Sequence, residues 1–149
     1  MERIYIKDLK EHIDKEVTIK GWIDVRRDQG KMIFFDFRDM SGKVQGVVLP
    51  GATEALAVGE RVRPEWVVEV RGKVNKRPDN AVQADKLNGD IELEVLEIIV
   101  LNEAETPPFD IAGDGKEINE EVRLRYRYID LRRERMQKNI RNRHEITHF

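Results

Sequence analysis

The chain has 149 residues, enough for one domain and an appendage; 38% of them are charged, yet the net charge at pH 7 is only −2. There is no cysteine, which excludes disulfides, thiolate metal sites and a cysteine nucleophile. No apolar run is long enough to cross a membrane and residues 1–10 are charged and amphipathic rather than signal-like, so a soluble, cytoplasmic protein is expected.

The charge is unevenly spread. Residues 119–149 carry nine Lys/Arg against five Asp/Glu, whereas residues 1–118 carry eighteen against twenty-four. An acidic body argues against sequence-blind coating of single strands, which depends on a broad cationic groove. Nucleic acid bound by the first part should therefore be bound locally and selectively.

Ile6, Leu9 and Ile13 follow helical spacing and predict a short amphipathic helix lying against the body. Glu16 to Arg26 alternates, with Val17, Ile19, Ile23 and Val25 on one face and Thr18, Lys20, Trp22, Asp24 and Arg26 on the other. A turn at 28–31 follows, with Gly30 suited to positive φ. Met32 to Arg38 is the second strand, with Ile33, Phe35 and Phe37 opposite Met32, Phe34, Asp36 and Arg38. After a turn at 40–42, Lys43 to Leu49 makes a third strand, Val44, Gly46 and Val48 alternating with Lys43, Gln45 and Val47. Thr53 to Val58 reads as a short helix before Gly59, and Trp66 to Val74 as a fourth strand. Residues 76–89 are a polar loop. Ile91 to Leu101 is the fifth strand, and its change of phase near Val95 and Leu96 predicts a bulge that helps the sheet curl.

Three meandering strands, a helical connection and two further strands predict an all-β domain, a five-stranded OB-fold Greek-key barrel with a short N-terminal helix. Residues 103–118, with Pro107, Pro108, Gly113 and Gly115, read as an interdomain linker after a 1–102 domain. Residues 119–149 read as helical: Glu120 and Glu121 open one helix, and Arg133 to Phe149 forms a second, more basic one. The second helix has apolar residues on two faces, Met136 with Ile140 and Leu131 with Ile146 and Phe149, as if built to be enclosed by more protein.

Phe34 is the residue that points to a function. It shares its face with Asp36 and Arg38, and Arg26, Arg27 and Lys31 are close by at the hairpin. An exposed ring on a sheet beside cations suits stacking of single-stranded bases. The alternative is that a loop, a neighbouring domain or a partner protein covers the ring. His144 and His148 have the i, i+4 spacing of a metal pair, but with no third ligand nearby no metal site is expected.

Three blocks, in order, carry a resemblance: G-W-I-D-V-R-R-D-Q-G-K-M-I-F-F-D-F-R-D-M-S-G-K-V-Q, L-N-E-A-E-T-P-P-F-D-I and L-R-Y-R-Y-I-D-L-R-R. Together they resemble the N-terminal part of the bacterial-type aspartyl-tRNA synthetase family, and any one alone also fits the related lysyl or asparaginyl enzymes. The resemblance implies that the barrel binds the tRNA anticodon. In that family the position of Phe34 stacks on the middle base, a uridine; that of Gln45 hydrogen-bonds the same base; and that of Glu92 accepts from the first base, a guanine. The chemistry suits those roles, since a carboxylate accepts from guanine N–H groups and an amide both donates and accepts at uracil. Phosphate and base contacts are expected from Arg26 and Arg27, and loop contacts from Gln29, Lys31 and Gln83. Departures from the family pattern are Glu134 where a proline is usual and Gln83 where an asparagine is usual. The resemblance further implies a class II ligase, a homodimer using ATP and Mg2+ on aspartate and tRNA-Asp, with tRNA-Asn as an alternative second substrate. The catalytic residues would lie beyond Phe149, so this stretch is expected to bind an anticodon loop and to catalyse nothing. A free-standing single-strand-binding module is the alternative reading.

Overall fold

A computed structural model describes residues 2–84, 87–111 and 113–148; the expected apolar role of Phe149 lies outside the described residues. The chain divides into two compact units, Met1–Thr106 and Pro107–Phe149, and the division falls within the stretch read as a linker.

In the first unit β1 (Glu16–Asp28), β2 (Ile33–Arg38), β3 (Lys43–Val48), β4 (Val67–Lys76) and β5 (Ile91–Asn102) close into a barrel of order β1-β2-β3-β5-β4. The long β1 serves both ends of this order: Glu16 to Trp22 pair with β4, and Trp22 to Asp28 pair with β2. β3 meets β5 in parallel, through Gly46 with Leu93 and Val47 with Glu94, and every other pairing is antiparallel. Ile19, Ile23, Phe35, Phe37, Val48, Val70 and Leu93 fill the interior, with Phe35 and Phe37 stacked at 5.3 Å. Each such side chain contributes about 1.5–3 kcal/mol on burial, which is why period-two alternation holds along most of the sheet.

Bulges bend the strands so that the barrel can close. On β5 the pairing passes from Glu97 with Arg71 to Val95 with Gly72 and skips Leu96, the position where the sequence changes phase. On β1 it passes from Ile23 with Phe37 to Val25 with Asp36 and skips Asp24. This second bulge corrects the expected faces: beyond Asp24, Val25 joins the outward row and Arg26 pairs with the inward Phe35. An extra residue reverses every later side chain on its strand.

The N-terminal helix is a 3₁₀ helix, Ile6–His12, rather than an α-helix. Its two buried residues, Ile6 and Leu9, are three apart, which suits a three-residue turn. Asp39, buried in the β2–β3 turn, anchors it by accepting from the Ile6 N–H at 2.9 Å, while its other oxygen accepts from Ser41 and Gly42. α1 (Thr53–Arg61) runs through Gly59 instead of stopping before it. A Cβ at Gly59 would lie 3.2 Å from Ile33 Cδ1 and 3.5 Å from Phe35, so the glycine lets the helix close on the barrel end. Gly30 takes φ 74° in the β1–β2 hairpin, as that turn requires.

The second unit holds α2 (Glu120–Arg125), α3 (Arg127–Asp130) and α4 (Glu134–Thr147). The Asn119 side chain caps α2 by accepting from the Glu121 N–H at 2.8 Å. Buried Arg133 organises the unit. It donates to the Asp130 carboxylate at 2.8 Å and to the carbonyls of Gly113 and Asp110, and it stacks over Phe109 at 5.2 Å. The P-P-F-D and I-D-L-R-R blocks are thus parts of one contact set.

Candidate nucleic-acid interface

Strand register brings several of the sequence-predicted residues to one outward face. Phe34 pairs across with Arg27 on one side and Val47 on the other; Val47 in turn pairs with Glu94, and Glu94 with Lys73. A second outward row runs Val25, Asp36, Gln45. Gln45 and Glu92 each stand one residue before the paired Gly46 and Leu93, so they flank the β3–β5 junction on that same outward side. Phe34, Gln45 and Glu92 are each half-buried. One aromatic face, one amide and one carboxylate on neighbouring strands can stack a base and read the edges of two.

The two hairpin arginines part company. Arg27 stands on the Phe34 side and is held by a two-pronged pair with Asp36 at 2.7 and 3.1 Å. Arg26, turned by the Asp24 bulge, donates to the Gly59 carbonyl at 2.9 Å and to Asp28 at 3.3 Å, and so ties the hairpin to α1. Gln29 and Lys31 are exposed at the hairpin tip. Gln83 is half-buried in the β4–β5 loop, its backbone N–H bonded to the Gly89 carbonyl at 3.0 Å.

Sequence pattern alone does not separate Glu92 from Glu94, which share a face. The structure does: Glu94 accepts from the Asn75 amide at 2.8 Å, whereas among the described residues no hydrogen bond reaches the Glu92 carboxylate. Diagonally across the β4–β5 ladder from Glu92 lies Arg77, with its Nε 4.0 Å from the carboxylate and its side chain 5% exposed. That cation was missed by sequence reasoning, since Lys76-Arg77-Pro78-Asp79 reads as solvated loop. A proline directly after the arginine, holding the chain extended at the strand end, is the signal that could have drawn attention to it. Nearby, the Asp90 carboxyl is held below its ordinary range, chiefly by a hydrogen bond from Lys10, and the Arg77 charge adds to this.

The outward face is not a cationic groove. Arg27 and Asp36 neutralise each other, and Glu92 and Glu94 remain beside Lys73 and the buried Arg77. Such a face is suited to stacking and hydrogen bonding more than to phosphate attraction. Among the described residues no group of three or more His, Cys, Asp or Glu is placed to hold a metal ion. The His144 and His148 rings stack at 5.0 Å on exposed turns of α4. No described helix is long and apolar enough to cross a membrane.

A closed five-stranded barrel with an aromatic, an amide and a carboxylate on its β2–β3–β5 face is the architecture of an oligonucleotide-binding module. The model of the tRNA-anticodon family, described as an OB-fold nucleic acid binding domain, matches residues 17–101, and the chain belongs to that family. It is 46% identical over 136 residues to the aspartate–tRNA ligase of Staphylococcus saprophyticus, covering 91% of this chain and 23% of that protein. The chain thus spans about a quarter of the length of the curated relatives it matches. Among solved structures it is similar to one from Leishmania major described as an aspartyl-tRNA synthetase, with TM-score 0.75 and 31% identity over 88% of this chain and 27% of that one. It is also similar to an asparaginyl-tRNA synthetase of Pyrococcus horikoshii in complex with asparaginyl-adenylate, with TM-score 0.71 and 26% identity, covering 89% of this chain and 29% of that one.

Proposed function

We propose that this chain is the anticodon-reading part of an aspartate–tRNA ligase. The observation that carries the proposal is the placing of Phe34, Gln45 and Glu92 together on the outward face of a barrel of the tRNA-anticodon family. In this reading Phe34 stacks on the middle base, a uridine. The Gln45 amide pairs with the same base, and Glu92 accepts from the N–H groups of a guanine in the first position. Arg27, Gln29 and Lys31 from the hairpin and Gln83 from the β4–β5 loop contact the anticodon loop, while Arg26 holds the hairpin. Residues 1–102 form the binding domain, 103–118 the connection and 119–149 the start of a second domain.

The reaction itself, activation of aspartate with ATP and Mg2+ and esterification of tRNA-Asp by a cytoplasmic homodimer, belongs to the remainder of the enzyme, and residues 1–149 alone catalyse nothing. Anticodon binding contributes positioning and selectivity to chemistry done elsewhere. The likeness to asparaginyl enzymes makes tRNA-Asn the competing partner.

The test is a titration of the chain against anticodon stem-loops bearing GUC, GUU and an unrelated triplet at two salt concentrations. Preference for GUC and GUU is expected to survive the higher salt. Base stacking is worth about 1–3 kcal/mol, so Phe34→Ala should weaken binding of both loops by about tenfold or more and leave the melting temperature nearly unchanged. Equal, strongly salt-dependent binding of all three loops would overturn the proposal in favour of a charge-driven single-strand module.

A further inference from the structure

The β4–β5 loop encloses a cation with an unusual environment. Arg77 follows the last residue of β4, and its backbone N–H donates to the Asp90 carbonyl at 2.9 Å, which continues the β4–β5 ladder by one rung and sets the arginine diagonally across from Glu92. Its Nη1 makes one long bond, 3.4 Å, to the Ala81 carbonyl. Its Nε is buried, has no hydrogen-bond partner, and points at Glu92 from 4.0 Å. A guanidinium taken out of water is costly unless a carboxylate and good hydrogen bonds compensate it. The described residues provide Glu92 at salt-bridge distance but no tight bond to Nε, so the site holds a charge in reserve beside the carboxylate.

The cost of the Glu92 charge rises when a base covers it. In the free protein the Glu92 side chain is 26% exposed, so solvent reaches it. A guanine stacked into place removes that water, and the carboxylate can then serve as a double acceptor only if another cation replaces the lost solvation. Arg77, buried and with its Nε 4.0 Å from the carboxylate, is the described cation in position to do so. Glu94 is differently supported, through Asn75, a neutral donor.

We propose that Arg77 is a positioning residue for guanine recognition: buried beside Glu92, it orients that carboxylate and compensates its charge while the first anticodon base is bound. The inference rests on the assignment of Glu92 to that base and adds the group that makes the assignment selective. Arg77 itself does not touch the base.

The experiment compares stem-loops that differ at one position, GUC with AUC for the first base and GUC with GAC for the second, against the unsubstituted chain, Arg77→Gln, Arg77→Lys and Glu92→Gln. Hydrogen bonds to a charged group are worth enough for about tenfold or more in preference. Arg77→Gln should remove most of the guanine-over-adenine preference at the first base, leave the uridine-over-adenine preference at the second unchanged, and add little when combined with Glu92→Gln. Arg77→Lys, which keeps the charge, should restore much of the first-base preference. Should Arg77→Gln fail to fold by thermal melting, Arg77→Met, which replaces the buried charge with a flexible apolar chain, gives the same comparison. A parallel loss of affinity for all loops, or no loss of first-base preference, overturns the positioning role while the anticodon assignment stands. Absence of any first-base preference in the unsubstituted chain overturns the Glu92 assignment, and the role of Arg77 falls with it.

Discussion

Arg26 and Arg27 are neighbours of the same type, and their environments predict opposite phenotypes. The Arg26 guanidinium is bonded to the Gly59 carbonyl and its side chain is 22% exposed, so Arg26→Ala should cost about 1–2 kcal/mol of stability and leave stem-loop affinity nearly unchanged. Arg27 is 43% exposed and its ion pair with Asp36 is a surface pair worth at most about 1 kcal/mol. Arg27→Ala should therefore weaken stem-loop binding and shift the melting temperature little. Paired thermal melts and titrations decide it; a matching loss of affinity in both variants would show that the Asp24 bulge does not sort the two side chains. Alternation along β2 and β3 correctly places Phe34 and Gln45 outward, because a strand residue's face follows from its position alone. It misplaces Val25 and Arg26, because a single inserted residue upstream leaves no mark in the apolar pattern.

The N-terminal 3₁₀ helix depends on one side chain outside itself. Asp39 accepts from Ile6 N–H through one oxygen and, through the other, from the Ser41 N–H and hydroxyl and the Gly42 N–H. Asp39→Ala would leave buried donors unpaired and should destabilise the barrel by about 3 kcal/mol. Hydrogen exchange of the Ile6, Ser41 and Gly42 amides should accelerate well before that of β4 and β5, and uniform acceleration would show that the helix is not a separately anchored element. The sequence predicts a helix here from Ile6, Leu9 and Ile13, yet its winding is set by the anchor. Asp39 and Ser41 fix the entry, and Asp14, at φ 65°, ends the turn and bonds to the Val74 carbonyl. At Gly59 an apparent stop signal is a packing requirement, which only the position of Ile33 and Phe35 explains.

In the second unit one buried carboxylate sets an acid sensitivity of its own. Burial pushes the Asp130 carboxyl up, but hydrogen bonds from Arg123 and Arg133 outweigh it and hold the carboxyl below its ordinary range. A carboxylate with a depressed folded value contributes stability that is fully present above the unfolded value of about 4 and is lost as pH falls through the folded one. The helical unit should therefore loosen on acidification below about pH 4. Both tryptophans, Trp22 and Trp66, lie in the barrel, so fluorescence follows the first unit while far-UV ellipticity at 222 nm is weighted to the helices of the second. Asp130→Asn should destabilise the helical unit at neutral pH and flatten its acid transition; an unaltered transition would place the acid-sensitive group elsewhere.

By itself the sequence determined the five strands, the turn residues, the barrel class, the three blocks that mark the family and the outward setting of Phe34, Gln45 and Glu92. These are local properties: alternation, propensity and motif order are written in residues close together in the chain. Only the tertiary structure decided which hairpin arginine stands on the Phe34 side, why Glu94 and not Glu92 is hydrogen-bonded to Asn75, that Arg77 is buried beside Glu92, and that Arg133 joins two distant blocks. Those outcomes depend on the β3–β5 pairing, on the bulges that close the barrel and on loop burial. Each is set by contacts between residues tens of positions apart, where no short-range pattern records them.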